Sequence, residues 1–97
     1  MWAQKVLKSN MLKTELKSFK FQDVQYSVYC PRESQWIAAD SDGRVWVYEG
    51  KPESDHEDTG IWIHADGYPF MHEIKGSVSR IFEGHRYCST RRRLYPA

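Results

Sequence analysis

Histidine and cysteine are the residue types in this 97-residue chain that are best suited to binding a metal. His85 and Cys88 have the H-x-x-C spacing that places two ligands on one cation. Cys30 and His72 would complete a four-ligand zinc site. No C-x-x-C or H-x-x-x-H pair accompanies them, so a small zinc-binding domain is an alternative and the main prediction includes no cofactor.

The spacings that enzymes use for nucleophilic or phosphate chemistry are missing. The sequence contains no G-x-S-x-G nucleophile elbow and no glycine-rich phosphate loop. Nothing in the spacing ties Cys30 or Cys88 to a histidine and an acid. We therefore predict that the protein is not an enzyme. Two cysteines are too few for a disulfide framework, so we expect reduced thiols, with a single bridge as the alternative.

Arginine and tyrosine near the C-terminus are suited to binding nucleic acid. Guanidinium groups bind phosphate bidentately, and both side chains stack on bases. The N-terminal 22 residues carry five lysines against one glutamate and would extend this basic surface. The opposing interpretation is a solvated, flexible basic tail from about residue 89. The candidate nucleic-acid contacts are Arg86, Arg91, Arg92 and Arg93.

The middle of the chain is acidic, with nine Asp and Glu against two basic residues in the range 40–73. In a strand, Trp46 and Tyr48 share one face while Val45 and Val47 share the other, so both faces are apolar. One ring-bearing face is then available to a partner protein or to a second copy of the chain. The opposing interpretation places these rings in the core. The candidate partner contacts are Trp46, Tyr48, Glu53, Asp55, Glu57, Asp58 and Trp62.

Antiparallel hairpins are the elements expected to position these residues. The β-prone runs 35–39 and 44–49 flank an Asp/Ser/Gly turn in which Gly43 supplies a positive φ. The runs 61–64 and 68–74 predict a second hairpin. Alternation over 19–30 slips by one residue at Gln22 and Asp23, which predicts one strand with a β-bulge.

The remaining segments predict short helices. A helix lies within 2–17, or else a strand with a turn at 8–10. One or two helical turns lie within 77–83, with Ser77 as the N-cap and Gly84 after the C-terminus. The predicted fold is a single α+β domain over 1–97, with an antiparallel sheet of about five strands and one or two short helices. Neither an apolar signal segment nor a run of about 20 apolar residues occurs, so we expect a cytoplasmic protein without a membrane partner.

The segment 36–53 also carries a resemblance. Its pattern W-I-A-x-D-x-D-G-x-V-x-x-Y-E-x-K-P resembles a hairpin segment of small bacteriophage and prophage accessory proteins, in which an acidic loop and a Trp-containing strand follow. The resemblance covers about a third of the chain and includes no catalytic residue. It implies a phage protein that acts in the host cytoplasm. The predicted function is therefore non-enzymatic binding and modulation of a host protein, as in counter-defence.

Overall fold

The structure, a computed structural model, describes residues 13–55 and 59–97. Its helical elements are a single turn, α1 (Ser79–Phe82), and a 3-10 helix (Tyr87–Ser89). Its strands are β1 (Thr14–Phe21), β2 (Val24–Pro31), β3 (Trp36–Ala39), β4 (Val45–Tyr48), β5 (Glu53–Ser54), β6 (Trp62–Ile63), β7 (Met71–Ile74), β8 (Arg92–Arg93) and β9 (Tyr95–Pro96).

These strands form three antiparallel sheets with the orders β2-β1-β9, β7-β4-β3-β8 and β5-β6. The prediction of antiparallel sheet with a short helix is confirmed. The number of strands differs, because the described residues contain nine strands in three sheets instead of about five in one.

β1 and β2 form a hairpin where we predicted one bulged strand. Phe21 pairs with Val24, and the two residues between them, Gln22 and Asp23, have φ values of 53° and 65°. Positive φ at both central positions defines the type I′ turn that suits the twist of a two-residue hairpin. The one-residue slip in the alternation therefore marks a reversal of the chain.

The hairpin of β3 and β4 is confirmed, but the second predicted hairpin is wrong. Gly43 has a φ of 90° in the first hairpin. In the second, the turn exists, since the N–H of Tyr68 donates to the carbonyl of Ala65 at 3.0 Å. However, β6 pairs with β5 and β7 pairs with β4. β7 thereby becomes part of a four-stranded sheet, which is more stable than an isolated two-stranded hairpin.

The core lies between the two larger sheets. One cluster joins Phe19, Phe21 and Val28 of the first sheet to Val45 and Val47 of the second. Phe82 of α1 and Leu94 close this cluster. A second, smaller cluster lies on the opposite face of β3 and β4 and includes Ala38, Tyr48 and Trp62.

The two ends of the chain also depart from prediction. Residues 14–17 of the predicted N-terminal helix belong to β1, and its remaining residues lie outside the described part. The expected flexible tail is folded: β8 pairs with β3, β9 pairs with β1, and Thr90 and Leu94 are buried. Leu94 packs in the core cluster and the Thr90 hydroxyl bonds to the backbone of Ala39, and these contacts are the reason for the difference. At α1, Gly84 follows the C-terminus with a φ of 82°, but no side chain caps the N-terminus.

Among the described residues, no helix is long and apolar enough to cross a membrane.

Candidate functional site

The solvent side of the sheet β2-β1-β9 forms what we call the outer face. Paired residues in antiparallel strands share a face, and Phe19, Phe21 and Val28 point to the core. The alternate positions therefore point outward. The outer face consists of Thr14, Leu16, Ser18, Lys20, Gln25, Ser27, Tyr29, Pro31 and Tyr95, of which Ser18 and Pro31 are buried and the others are exposed. None of these described residues is an Asp or Glu.

A groove of about 470 Å³ lies beside the outer face, and we call it the basic groove. Lys20, Arg92 and Arg93 line it together with Tyr95, and none of its described lining residues is acidic. The ion pair seen in the described part of the chain joins Arg44 to Asp42, so these three cations are not neutralised by a carboxylate. The N-terminal and C-terminal basic segments meet here because β1 pairs with β9.

Each member of the arginine triplet packs on an aromatic ring. Arg91 lies 5.2 Å from the Trp62 ring centre, and its Nη1 donates to the carbonyl of Pro52 at 2.9 Å. Arg92 lies 4.7 Å from the Phe21 ring centre and donates through Nη1 to two carbonyls of its own segment. These contacts fix both guanidinium groups in the fold.

Arg93 differs from its neighbours because it is exposed. Its guanidinium lies 5.4 Å from the Trp36 ring centre and 3.2 Å from Oε1 of Gln35. The Nζ of Lys51 lies 5.5 Å from the same ring, so Trp36 has two cations beside it. Of the four arginines predicted for nucleic acid, Arg92 and Arg93 line the basic groove, Arg91 is held against Trp62, and Arg86 is exposed away from the groove.

Lys17 does not belong to the basic surface predicted for the N-terminal lysines. Its side chain is buried, and its Nζ donates to the carbonyls of Arg32 (2.8 Å) and Ser34. Both bonds hold the loop that follows β2. The cation is therefore used inside the molecule, and Lys20 is the β1 lysine that remains available.

The ring-bearing face of β3 and β4 is largely covered by the chain itself. Tyr48 is fully buried and Trp62 is 5% exposed, so these two predicted contact rings lie inside the molecule and not on its surface. Trp62 donates its indole N–H to the carbonyl of Ala39 at 3.0 Å and lies over this face. Burial also raises the pKa of Tyr48. Trp46 stays half-buried at the border of the cluster.

The acidic candidates lie at β5 and its connection to β6. Glu53 is exposed and pairs with Ile63, while Asp55 is half-buried and accepts a bond from the Thr59 hydroxyl. Ile61 and Ile63 are each 43% exposed, on the side of β6 opposite to Trp62. Exposed apolar side chains therefore do lie beside acidic residues at β5 and β6, but they are isoleucines and not the aromatic rings that we predicted. Glu57 and Asp58 lie outside the described residues.

The four residues predicted as zinc ligands are not brought together. Cys30 is a free thiol in the core, and Cys88 is free and exposed on the 3-10 helix. The His85 ring packs edge-on against Phe21, with 4.8 Å between ring centres, and His72 lies opposite Val47 on β7. Among the described residues, no group of three His, Cys, Asp or Glu could hold a metal. Burial raises the pKa of the Cys30 thiol, which disfavours the thiolate that zinc requires.

A second cavity, of about 530 Å³, lies between the turn of β3-β4 and the segment from α1 to Thr90. Asp40, Asp42 and Glu83 line it together with Arg80 and His85. Asp40 is engaged in the fold, because its Oδ1 accepts the backbone N–H of Trp62 at 2.9 Å. Burial raises the pKa of its carboxyl.

The sequence reasoning missed Tyr29. This ring is 69% exposed and lies on the outer face, on the neighbouring strand to Lys20. The signal is present in the sequence, since Tyr29 alternates in phase with the polar residues Gln25 and Ser27. The importance of Tyr29 can be recognised only when 19–30 is known to form a hairpin, because the hairpin places β2 beside Lys20 of β1.

Comparison with known proteins gives no relative: no protein-family model, curated protein or solved structure matches the chain.

Proposed function

We propose that this is a non-enzymatic nucleic-acid-binding protein that uses the basic groove. The observation that carries the proposal is the meeting of Lys20, Arg92 and Arg93 around one groove that no described acid lines. Three cations that form no ion pair with a described carboxylate attract a polyanion, and release of its counterions drives binding. The rings of Phe21 and Trp36 hold the two guanidinium groups in place, so little side-chain freedom is lost when a phosphate binds.

The distribution of charge supports this proposal. The described acidic residues of the middle segment lie on the β3-β4 turn, on β5 and β7, and in the loops that follow β4, β5 and β6, and none of them is on the outer face. A polyanion on the outer face therefore meets cations first. The near-neutral net charge of +1 does not oppose local binding, because charges further away than about 8–10 Å are largely screened at physiological salt.

The test is the salt dependence of binding to a labelled oligonucleotide, measured by fluorescence anisotropy. Three phosphate contacts predict a slope of log K against log salt of about −2, at roughly 0.7 per contact for a single strand. Lys20→Ala should make the slope shallower by about 0.7 to 1. Lys75→Ala, an exposed lysine outside the groove, is the matched control and should leave the slope unchanged. Absence of binding at low salt, or equal effects of the two variants, would contradict the proposal.

A second candidate function is binding of a host protein, in the phage setting that the hairpin resemblance implies. It is supported by one feature, the pair Ile61 and Ile63, exposed beside Glu53. Apolar anchors with a charged rim are typical of protein interfaces. On this proposal the isoleucines are the anchors, and Glu53 and Asp55 steer a basic partner to them.

This candidate is tested by capture from bacterial lysate with the wild-type protein and an Ile61→Ser/Ile63→Ser variant. A specific partner should be retained by the wild type and lost by the variant. Val24→Ser changes another exposed apolar residue, 48% exposed on the first sheet, and should retain the partner. A partner that binds all three proteins equally does not use this surface.

A further inference from the structure

Among the described Phe, Tyr and Trp residues, Tyr29 and Tyr95 carry the two most exposed aromatic rings, at 69% and 58%. Both lie on the outer face, Tyr29 opposite Leu16 and Tyr95 opposite Ser18. Exposed rings are costly to leave in water, and two on one sheet face are a typical surface for stacking. The face that they share is therefore suited to a ligand with flat, polarisable groups, on which the two rings can stack.

The register fixes the spacing of the two rings. Tyr29 and Tyr95 are separated by two strand spacings across the sheet, about 10 Å, and by two residues along it, about 7 Å. Their Cβ atoms are then about 12 Å apart, so each ring can contact a separate flat group. Leu16 and Ser18 of β1 lie between the two rings, Leu16 directly opposite Tyr29 and Ser18 directly opposite Tyr95.

The charge beside the rings indicates which ligand carries these flat groups. Lys20 follows Ser18 as the next residue of β1 on the outer face. Arg93 lines the basic groove together with Tyr95. Rings on a sheet with cations along one side are suited to a chain of bases joined by phosphates. In a duplex, each base is already paired and stacked, so its face is not available to a tyrosine.

We infer that the outer face binds single-stranded nucleic acid, with one base stacked on Tyr29, one on Tyr95, and the backbone along Lys20 and Arg93. This inference rests on the proposed nucleic-acid function. It adds that the nucleic acid is single-stranded and that Tyr29 and Tyr95 hold the bases. Selectivity for single strands comes from the rings, while the dependence on salt comes from the cations.

The experiment measures binding of a single strand of about 12 nucleotides and of the duplex of the same sequence. Tyr29→Ala and Tyr95→Ala should each weaken single-strand binding by about five- to hundredfold with little change of the salt slope. Tyr29→Phe and Tyr95→Phe keep the ring and should bind like the wild type. Tyr68→Ala, which removes a 51% exposed ring elsewhere, is the matched control and should have no effect. Circular dichroism verifies that each variant is folded.

Each other outcome overturns the inference in a distinguishable way. Equal affinity for duplex and single strand, with unaltered binding by both alanine variants, ends the stacking role but leaves the proposed function in place. Failure of every oligonucleotide to bind at low salt ends both. If sedimentation shows a dimer that Tyr29→Ala dissociates, the outer face is an interface between two copies of the chain, and the inference is wrong.

Discussion

Asp40 links the β3-β4 turn to the segment that covers the ring-bearing face. Its backbone N–H donates to the carbonyl of Arg44 at 2.8 Å, and its carboxylate accepts the N–H of Trp62 at 2.9 Å. Burial of the carboxylate raises its pKa above the ordinary value of 3.8. The negative charge of Asp40 therefore destabilises the folded state, whereas the hydrogen bond that its side-chain oxygen accepts stabilises it.

Substitution of Asp40 should separate these two effects. Asp40→Asn keeps an acceptor for Trp62 and removes the charge, whereas Asp40→Ala leaves that N–H without a partner and should cost about 1–3 kcal/mol. Because the folded pKa is raised, the stabilising effect of the protonated carboxyl is present below pH 3.8 and is lost as the pH rises through the folded value.

Urea unfolding at several pH values between 3.5 and 7 measures this. The wild type should lose stability relative to Asp40→Asn as the pH rises through this window. A wild type that instead gains stability relative to Asp40→Asn would show that the carboxylate is stabilised in the fold.

At the scale of elements, Thr90 connects the end of the 3-10 helix to β3. Its hydroxyl oxygen accepts the N–H of Ala39 at 2.9 Å and lies 2.7 Å and 3.0 Å from the carbonyls of Tyr87 and Ala39. The residue is 1% exposed, so water cannot replace these bonds.

Thr90→Val, which conserves the shape of the side chain, should therefore lower the free energy of unfolding by about 1–3 kcal/mol, because it leaves the Ala39 N–H buried without an acceptor. Thr90→Ser keeps the hydroxyl and should lose less. Chemical denaturation of the three proteins gives the comparison, and a serine variant less stable than the valine variant would contradict the role of the hydroxyl.

The β1-β2 turn offers a gain of stability. Gln22 and Asp23 both have positive φ, which costs a residue with a Cβ roughly 1–2 kcal/mol. Asn-Gly is the pair most compatible with a type I′ turn. The double substitution Gln22→Asn/Asp23→Gly should raise the free energy of unfolding by about 1 kcal/mol, measured by thermal melting. A lower melting temperature would mean that the turn is not of this type.

At the scale of the molecule, the C-terminal segment joins the two larger sheets. β8 extends the second sheet, β9 extends the first, and Leu94 between them is 3% exposed. Burial of one leucine side chain contributes about 1.5–3 kcal/mol, which is a large part of the 5–15 kcal/mol stability of a typical domain.

Removal of residues 90–97 should therefore abolish cooperative unfolding in circular dichroism melts, whereas removal of the exposed Ala97 should not. A truncated protein that melts like the full chain would show that the segment is dispensable. For the same reason, tail truncation cannot distinguish nucleic-acid binding from protein binding, and single substitutions in the basic groove are the better test.

The local features of this protein were determined by the sequence alone. The β-prone residues of 44–49 and the turn ending in Gly43 specify the β3-β4 hairpin, because the interactions that form it lie within a few residues. The alternation in 19–30 similarly determined the two faces of β1 and β2, even though the turn at Gln22 was interpreted as a bulge.

The tertiary structure decided which strands pair across long separations and which rings are buried. Trp62 and Tyr48 lie in the second core cluster, and the arginine triplet is held against rings, because β5-β6 and the C-terminal segment pack on sheets formed by distant residues. Burial depends on the total apolar surface that all segments remove from water together, and no local pattern contains that sum. The same packing brings Lys20 beside Arg93 and leaves Tyr29 and Tyr95 in solvent.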